Sequence, residues 1–426
     1  MLTLDLKHED YPVPSDYFGV LWALSGINDL IILEHGSTGT CNFNAFNYMI
    51  MNRQSPKGKL FSSGMDEDDV VMGRDMKIKE AVAELDNEYR PKVIALVATG
   101  VTSVIGLDLQ GIIEEIQPDT AARLISFSGG GFAGDYHVGI KEVFRSLTNN
   151  IIKEPRERKP CSVNIIGPTI DSFNANSDLA EIKRMLGLIG AEVNTIFTFS
   201  TDIDRIENLA CASLNLVTRD IGIQAAEIMK ERYGIPYYYG LPFGVKGSIN
   251  WLNDIAAIMG LELKRSVLRS ELQRYGFSIL ELVNFLQDLD HLKAAVSCPC
   301  EYALGLTTLL QDEWGIEPSL VSLPIWPEMP QIQSEFSRRK IGRMLVEPEG
   351  KMLSEAIRDI NPHILFGNSY DLLMAENIPV KVHAAFPAFD HIYRYDGTPF
   401  VGFRGHAYLT ETLINLLNQN PEVFRN

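Results

Sequence analysis

Short apolar runs alternate with stretches of helical periodicity along this chain. Residues 92–97 read Lys-Val-Ile-Ala-Leu-Val, residues 162–166 Ser-Val-Asn-Ile-Ile, and residues 291–296 His-Leu-Lys-Ala-Ala-Val. Each run leads into a turn rich in Gly, Pro or Cys and then into a helical pattern. Apolar runs of strand length, alternating with helices, predict parallel sheets covered on both faces. One helix shows the logic. Leu179, Ile182, Leu186 and Ile189 recur at helical spacing, and Gly190 closes the segment. Ser177 and Asp178 are expected as its N-cap and early negative charge. The next apolar stretch, from Glu192, restarts a strand.

The pattern predicts an α/β fold of three Rossmann-like domains with mostly parallel sheets. The expected domains are residues 1–158, 159–289 and 290–426. The charged, Pro-flanked stretch 153–160 reads as a linker, because such a run does not join a core. No short repeat and no low-complexity tract appears.

Composition narrows the function classes. The 426 residues are 46% hydrophobic and 22% charged, the balance of a soluble globular protein. A formal net charge of −17 argues against nucleic acid as a partner and suits a basic or metal-bearing protein. The longest apolar stretch, 93–109, is broken by Thr99, Gly100, Thr102, Ser103 and Gly106, so no membrane span is expected. The N-terminus lacks the basic and apolar regions of a signal peptide, and the expected location is cytoplasmic. There is no Gly-x-x-x-x-Gly-Lys-[Ser/Thr] loop and no Gly-x-Gly-x-x-Gly fingerprint, so no nucleotide site is expected on this chain.

Two segments carry candidate chemistry. The first is Glu34-His-Gly-Ser-Thr-Gly-Thr-Cys-Asn-Phe43, fed by the apolar run at residues 30–33. Gly36 and Gly39 are expected to let the backbone turn sharply and approach a bulky group. Cys41, at the C-terminal end of a strand, is a candidate metal ligand, though a free Cys also often fills a core. The second is Ser297-Cys-Pro-Cys-Glu301, in the loop after the third unit's first strand. Cys298 and Cys300 are candidates for a second metal centre or a redox pair; two cysteines packing a tight turn is the other reading. The remaining two cysteines, Cys161 and Cys211, lie in apolar surroundings and read as core. His383, His391 and His406, with Arg394 and Arg404, suit either an anion site or a partner interface.

The first segment resembles the cluster-binding turn of the nitrogenase component-1 family, where a strand leads into His-Gly-x-x-Gly-Cys. His35, Gly36 and Gly39 match. Thr40 holds the expected Cys place, and Cys41 follows one residue late. Other segments resemble the family in the same order. They include Ser63-Gly-Met-Asp-Glu-Asp-Asp69, Thr99-Gly-Val-Thr-Ser-Val-Ile-Gly-Leu-Asp108 and the stretch from Ser126-Phe-Ser-Gly-Gly to Gly134-Asp-Tyr136. Asn164-Ile-Ile-Gly167, Ile364-Leu-Phe-Gly-Asn-Ser-Tyr370, Phe386-Pro-Ala-Phe-Asp390 and Gly402-Phe-Arg-Gly405 continue the series. The pattern is closest to a β-like subunit. The resemblance implies an iron–sulfur cluster, a 4Fe-4S centre shared with a partner chain, near His35, Gly36, Gly39, Thr40, Cys41 and Gly100. It implies an α-like homologue and an ATP-hydrolysing iron-protein reductase as partners, with electrons passing through the cluster to a substrate or cofactor. A homodimer is the other assembly left open. The alternative functions are a scaffold for metallocluster biosynthesis and a structural subunit without a cluster.

The departures are as informative. The family's first cluster Cys has no counterpart ahead of Gly19-Val-Leu-Trp22, and the third place reads Gly100. The position matching the catalytic-cofactor Cys of α subunits is about Ala226, which implies no such cofactor on this chain. The segment from about Phe386 is expected to pack back across the first domain or a partner.

Overall fold

A computed structural model describes residues 13–52, 58–73, 75–275 and 291–424. Among them are three sheets, every strand parallel to its neighbours. The first sheet has the order β2-β1-β3-β4, from β1 (Leu30–His35), β2 (Leu60–Ser62), β3 (Val93–Ala98) and β4 (Arg123–Phe127). The second is β6-β5-β7-β8, from β5 (Ser162–Ile166), β6 (Glu192–Phe197), β7 (Leu214–Val217) and β8 (Tyr237–Tyr239). The third is β11-β10-β9-β12-β13, from β9 (Lys293–Ser297), β10 (Glu317–Leu323), β11 (Arg343–Val346), β12 (Ile364–Gly367) and β13 (Val380–His383).

Burial explains why these runs are strands. All residues of β1 and β3 are buried, and alternate side chains serve two cores. Leu30, Ile32, Val93, Ala95 and Val97 join a cluster that continues through all three units. Ile31, Leu33, Ile94, Leu96 and Ala98 face a separate cluster under the helices Met76–Tyr89 and Leu109–Ile116. A period of two, apolar on both faces, is the signature of a parallel strand between helix layers.

Strand order fixes where ligands are to be sought. In an open parallel sheet, the crevice lies at the carboxyl ends of the strands, where the order reverses. Those switch points fall between β1 and β3, between β5 and β7, and between β9 and β12.

One expectation needs correction. The helix expected from Ser177 begins earlier, at Ala175, after Asn174. Asp178 lies in the first turn as expected, but Ser177 does not cap the helix; both bind the returning C-terminal segment. The Ser177 hydroxyl donates to Tyr395 O, and Asp178 Oδ1 accepts from Phe400 N at 2.7 Å. That segment packs mostly on the second unit, where helix Gly402–Gln419 lies against helices Gly244–Met259 and Ala175–Leu188. Its contact with the first unit includes Phe386, whose ring sits 5.5 Å from that of Trp22.

Candidate functional site

The first switch point carries the motif read from the sequence. β1 ends at His35, Gly36 and Ser37 make the turn, and helix Thr38–Asn52 begins at once. Ser37 Oγ accepts from Thr40 N at 3.3 Å, as an N-cap does. Thr40 and Cys41 are therefore helical, not part of the turn. Gly36 is needed for close approach: a Cβ there would stand 2.5 Å from Thr99 Cγ2. The hydroxyls of Thr99 and Thr102 both donate to His35 O, at 2.9 and 2.8 Å. The turns carrying Gly36 and Gly100 are thus pinned together. Gly39 is different. It lies in the first helical turn with open space around its α-carbon, so it does not supply the expected sharp bend.

Cys41 is buried at 5% exposure. Burial, and then the neighbouring Glu34 carboxyl, pushes its thiol up to about 12. Glu34 is itself fully buried, and burial pushes it up to about 7 against the lowering effect of Cys41 and Asn44. His35 is equally buried. Its Nδ1 lies 2.7 Å from Ser63 Oγ, and burial lowers its pKa to about 4, so the ring is neutral. The sequence places no other cysteine before Cys161. Cys41 is thus the one thiol that this edge offers a metal, with the Glu34 carboxyl beside it. Around them Phe43, Phe46, Val71, Met72, Val104 and Phe132 are exposed, all on segments that follow the carboxyl ends of the first sheet's strands.

The second and third switch points open onto a single cavity of about 380 Å³. Its lining includes Trp22, Phe173, Arg219, Cys298, Tyr302 and Phe386. Arg219, just after β7, is its organising charge. The guanidinium lies 3.1 Å from Asp171 Oδ2, in the loop after β5, and 3.3 Å from Glu301 Oε1, beyond β9. Burial works against that charge; Asp171 and Glu301 more than offset it, and Arg219 stays protonated. Gly167 makes this possible. Its φ is 120°, and a Cβ would meet Arg219 N at 2.9 Å.

Three carboxyls of the cavity are held toward their neutral forms. Burial pushes Asp178 up to about 7, although the Tyr302 hydroxyl donates to it. Burial likewise pushes Asp371 up to about 6 and raises Glu301. The two cysteines of the Cys-Pro-Cys turn divide. Cys298 lines the cavity, while Cys300, at the start of helix Cys300–Leu309, lies behind it. Burial raises both thiols well above their ordinary value. Among the described residues, Cys300 groups with Asp220 and Glu301, and Cys298 does not join them. The expected pair is therefore not two ligands of one compact group.

Of the three histidines, His383 and His391 stay together and His406 separates from them. His383 Nε2 lies 2.9 Å from Asp390 Oδ1, and His391 Nδ1 lies 3.4 Å from the other oxygen. His406 sits elsewhere, 3.4 Å from Glu313, and Arg404 lies 3.7 Å from Glu181. Sequence reasoning missed Asp171, Asp178, Arg219, Asp220 and Tyr302. For Arg219 and Asp220 a signal existed: charges directly after an apolar run sit where a parallel strand delivers its loop.

The profile of nitrogenase component 1 type oxidoreductases matches residues 15–418. The chain belongs to that family. As a member it is one chain of a nitrogenase-like oxidoreductase. It is 22% identical, over 416 residues, to the B chain of the light-independent protochlorophyllide reductase of Nostoc punctiforme, covering 94% of this chain and 81% of the relative. The corresponding protein of Heliobacterium modesticaldum is 25% identical over 359 residues, covering 81% of this chain and 66% of that protein. A solved structure of nitrogenase Cp1 at pH 6.5 superposes with a TM-score of 0.81 at 20% identity, over 96% of this chain and 93% of that one. That likeness supports the three-unit α/β fold. No described helix is long and apolar enough to cross a membrane.

Proposed function

We propose that this chain is the β-like half of an ATP-dependent iron–sulfur reductase. An α-like homologue docks on the edge of the first sheet, and a separate iron protein hydrolyses ATP and supplies electrons. The observation that carries the reading is the family match across nearly the whole chain, with relatives that belong to a protochlorophyllide reductase. The exposed apolar residues Phe43, Phe46, Val104 and Phe132 support the docking edge, because apolar groups gathered on a soluble protein mark contact surfaces. When bound, an interfacial cluster supplies one-electron chemistry; the chain supplies burial and one ligand. Cys41 is that ligand. It gives up its proton only when a metal replaces it, since burial and Glu34 hold the free thiol neutral. The partner chain provides the remaining ligands. Cys298, on the cavity wall, is a substrate-side thiol.

The test is iron and acid-labile sulfide on the anaerobically purified pair. About four irons per pair are expected. Cys41→Ala should lower that content while the pair stays associated. Unchanged iron would remove Cys41 from the ligand set. A colourless, iron-free pair would favour a protein that kept the fold without the metal.

A further inference from the structure

A second polar group lies behind the cavity, between the loops after β7 and β9. One carboxylate oxygen of Asp220, Cys300 Sγ and one carboxylate oxygen of Glu301 lie within 4.8 Å of one another. Cys300 Sγ is 3.5 Å from Glu301 Oε2 and 3.8 Å from the Tyr239 hydroxyl. We propose that Asp220, Cys300 and Glu301 bind one divalent transition-metal cation of the zinc class, with the Tyr239 hydroxyl beside the fourth position. The proposal is independent of the interfacial cluster.

Three observations carry it. First, Asp220 is 9% exposed, and its Oδ1 is buried without a hydrogen-bond partner. An orphaned buried carboxylate oxygen is costly unless something positive meets it. Second, the neighbouring cations are already paired. Arg219 gives Nε to Glu301 Oε1 and its other nitrogens to Asp171, Thr169 and Ser172. Lys141, whose charge reaches Asp220, pairs with Glu328 at 2.8 Å. Neither cation is therefore left over to meet the free Asp220 oxygen. Third, the separations are close to a coordination shell. Sulfur and oxygen ligands on one tetrahedral cation stand roughly 3.6 Å apart, from metal–ligand bonds of about 2.1–2.3 Å.

The donor set selects the metal. One thiolate with two carboxylates favours zinc, cobalt or ferrous iron over magnesium or calcium, which take oxygen alone. A lone thiol also argues against a multi-iron cluster here, since such clusters are held by several thiolates. The cation would tie the second sheet's switch point to the third's. Glu301 is the one ligand that also lines the cavity, so the metal would fix one wall of the substrate space.

The experiment uses the full chain with its partner, equilibrated with cobalt(II) and read by X-ray absorption at the cobalt edge. That readout is blind to any iron cluster. One cobalt per chain with a sulfur neighbour is expected. Cys300→Ser should remove the sulfur signal and weaken binding by about tenfold or more, while Cys298→Ser and Cys41→Ser change neither. Asp220→Asn should weaken binding and keep the sulfur signal; it decides the matter if Cys300→Ser does not fold. Folded protein without stoichiometric cobalt would overturn the site. So would a sulfur signal that survives Cys300→Ser, or unaltered affinity in Asp220→Asn.

Discussion

Arg219 Nε lies 3.3 Å from Glu301 Oε1, and this contact joins the loop after β7 to the loop after β9. The same guanidinium holds Asp171 at 3.1 Å. Both partners of the first contact are more than nine-tenths buried, so solvent screens neither. Removing one side of a buried pair leaves an uncompensated charge, which costs roughly 3–5 kcal/mol. Arg219→Met is therefore expected to destabilise the chain by about that amount in urea unfolding. Arg219→Lys should fall between, because an ammonium cannot span both carboxylates as the planar fork does. A loss below about 1 kcal/mol for Arg219→Met would show that the two loops are held by packing alone.

Gly36 and Gly39 look equivalent in the motif and are not. A methyl at Gly36 meets the Thr99 side chain at 2.5 Å, and Thr99 is fixed by its bond to His35 O. Gly36→Ala should cost about 1–3 kcal/mol, in the range of other overpacked sites. A methyl at Gly39 meets nothing within 4 Å and sits in a helix. Gly39→Ala should be neutral or stabilise by up to about 1 kcal/mol. Thermal melts of the two single variants check the contrast. Equal losses would mean that both glycines serve the backbone, as the sequence pattern suggested.

The docking edge makes a third prediction. Val104 is 74% exposed at the end of the short helix Gly100–Val104. A charge there costs the isolated chain little and disfavours an apolar interface. Val104→Arg should leave the melting temperature of the chain unchanged and reduce co-purification of an α-like partner. Full recovery of the pair would place the interface elsewhere.

The architecture was legible in the sequence because parallel strands buried on both faces leave continuous apolar runs. β1, β3, β5 and β9 all announced themselves in that way. The turn at His35 and Gly36 was legible too, through its neighbours in the family. The polar heart of the cavity was not. Asp171, Asp178, Arg219 and Glu301 are up to 130 residues apart in sequence, as Asp171 and Glu301 show, and no local pattern says that they meet. Their meeting follows from which strands flank each switch point, and sheet order is not written in periodicity. Ser177 misled for a related reason. A Ser-Asp pair ahead of an amphipathic run is a good cap in isolation, yet here a distant segment returned to take its hydrogen bonds.

Asp178 also yields a pH dependence whose sign is fixed. Its folded pKa is raised from 3.8 to about 7, first by burial, against lowering by Tyr302 and the amides of Phe400 and Val401. Below the ordinary carboxyl range both folded and unfolded chains carry the proton, and the group contributes no pH dependence. Between that range and about 7 the unfolded chain ionises while the folded chain keeps its proton. Stability therefore falls as pH rises through this window, by roughly 1.4 kcal/mol per unit at most for one group. Asp371, raised to about 6, pulls the same way. His35, lowered to about 4, pulls the other way, since the unfolded imidazole ionises first as pH drops below its ordinary value. Asp178→Asn keeps an acceptor for Phe400 N and removes the titration. The variant should lose less stability than the parent between about pH 5 and about pH 7, measured by urea midpoints at constant salt. Parallel curves for parent and variant would mean that Asp178 is ionised in the folded chain and that Tyr302 and the backbone amides outweigh its burial.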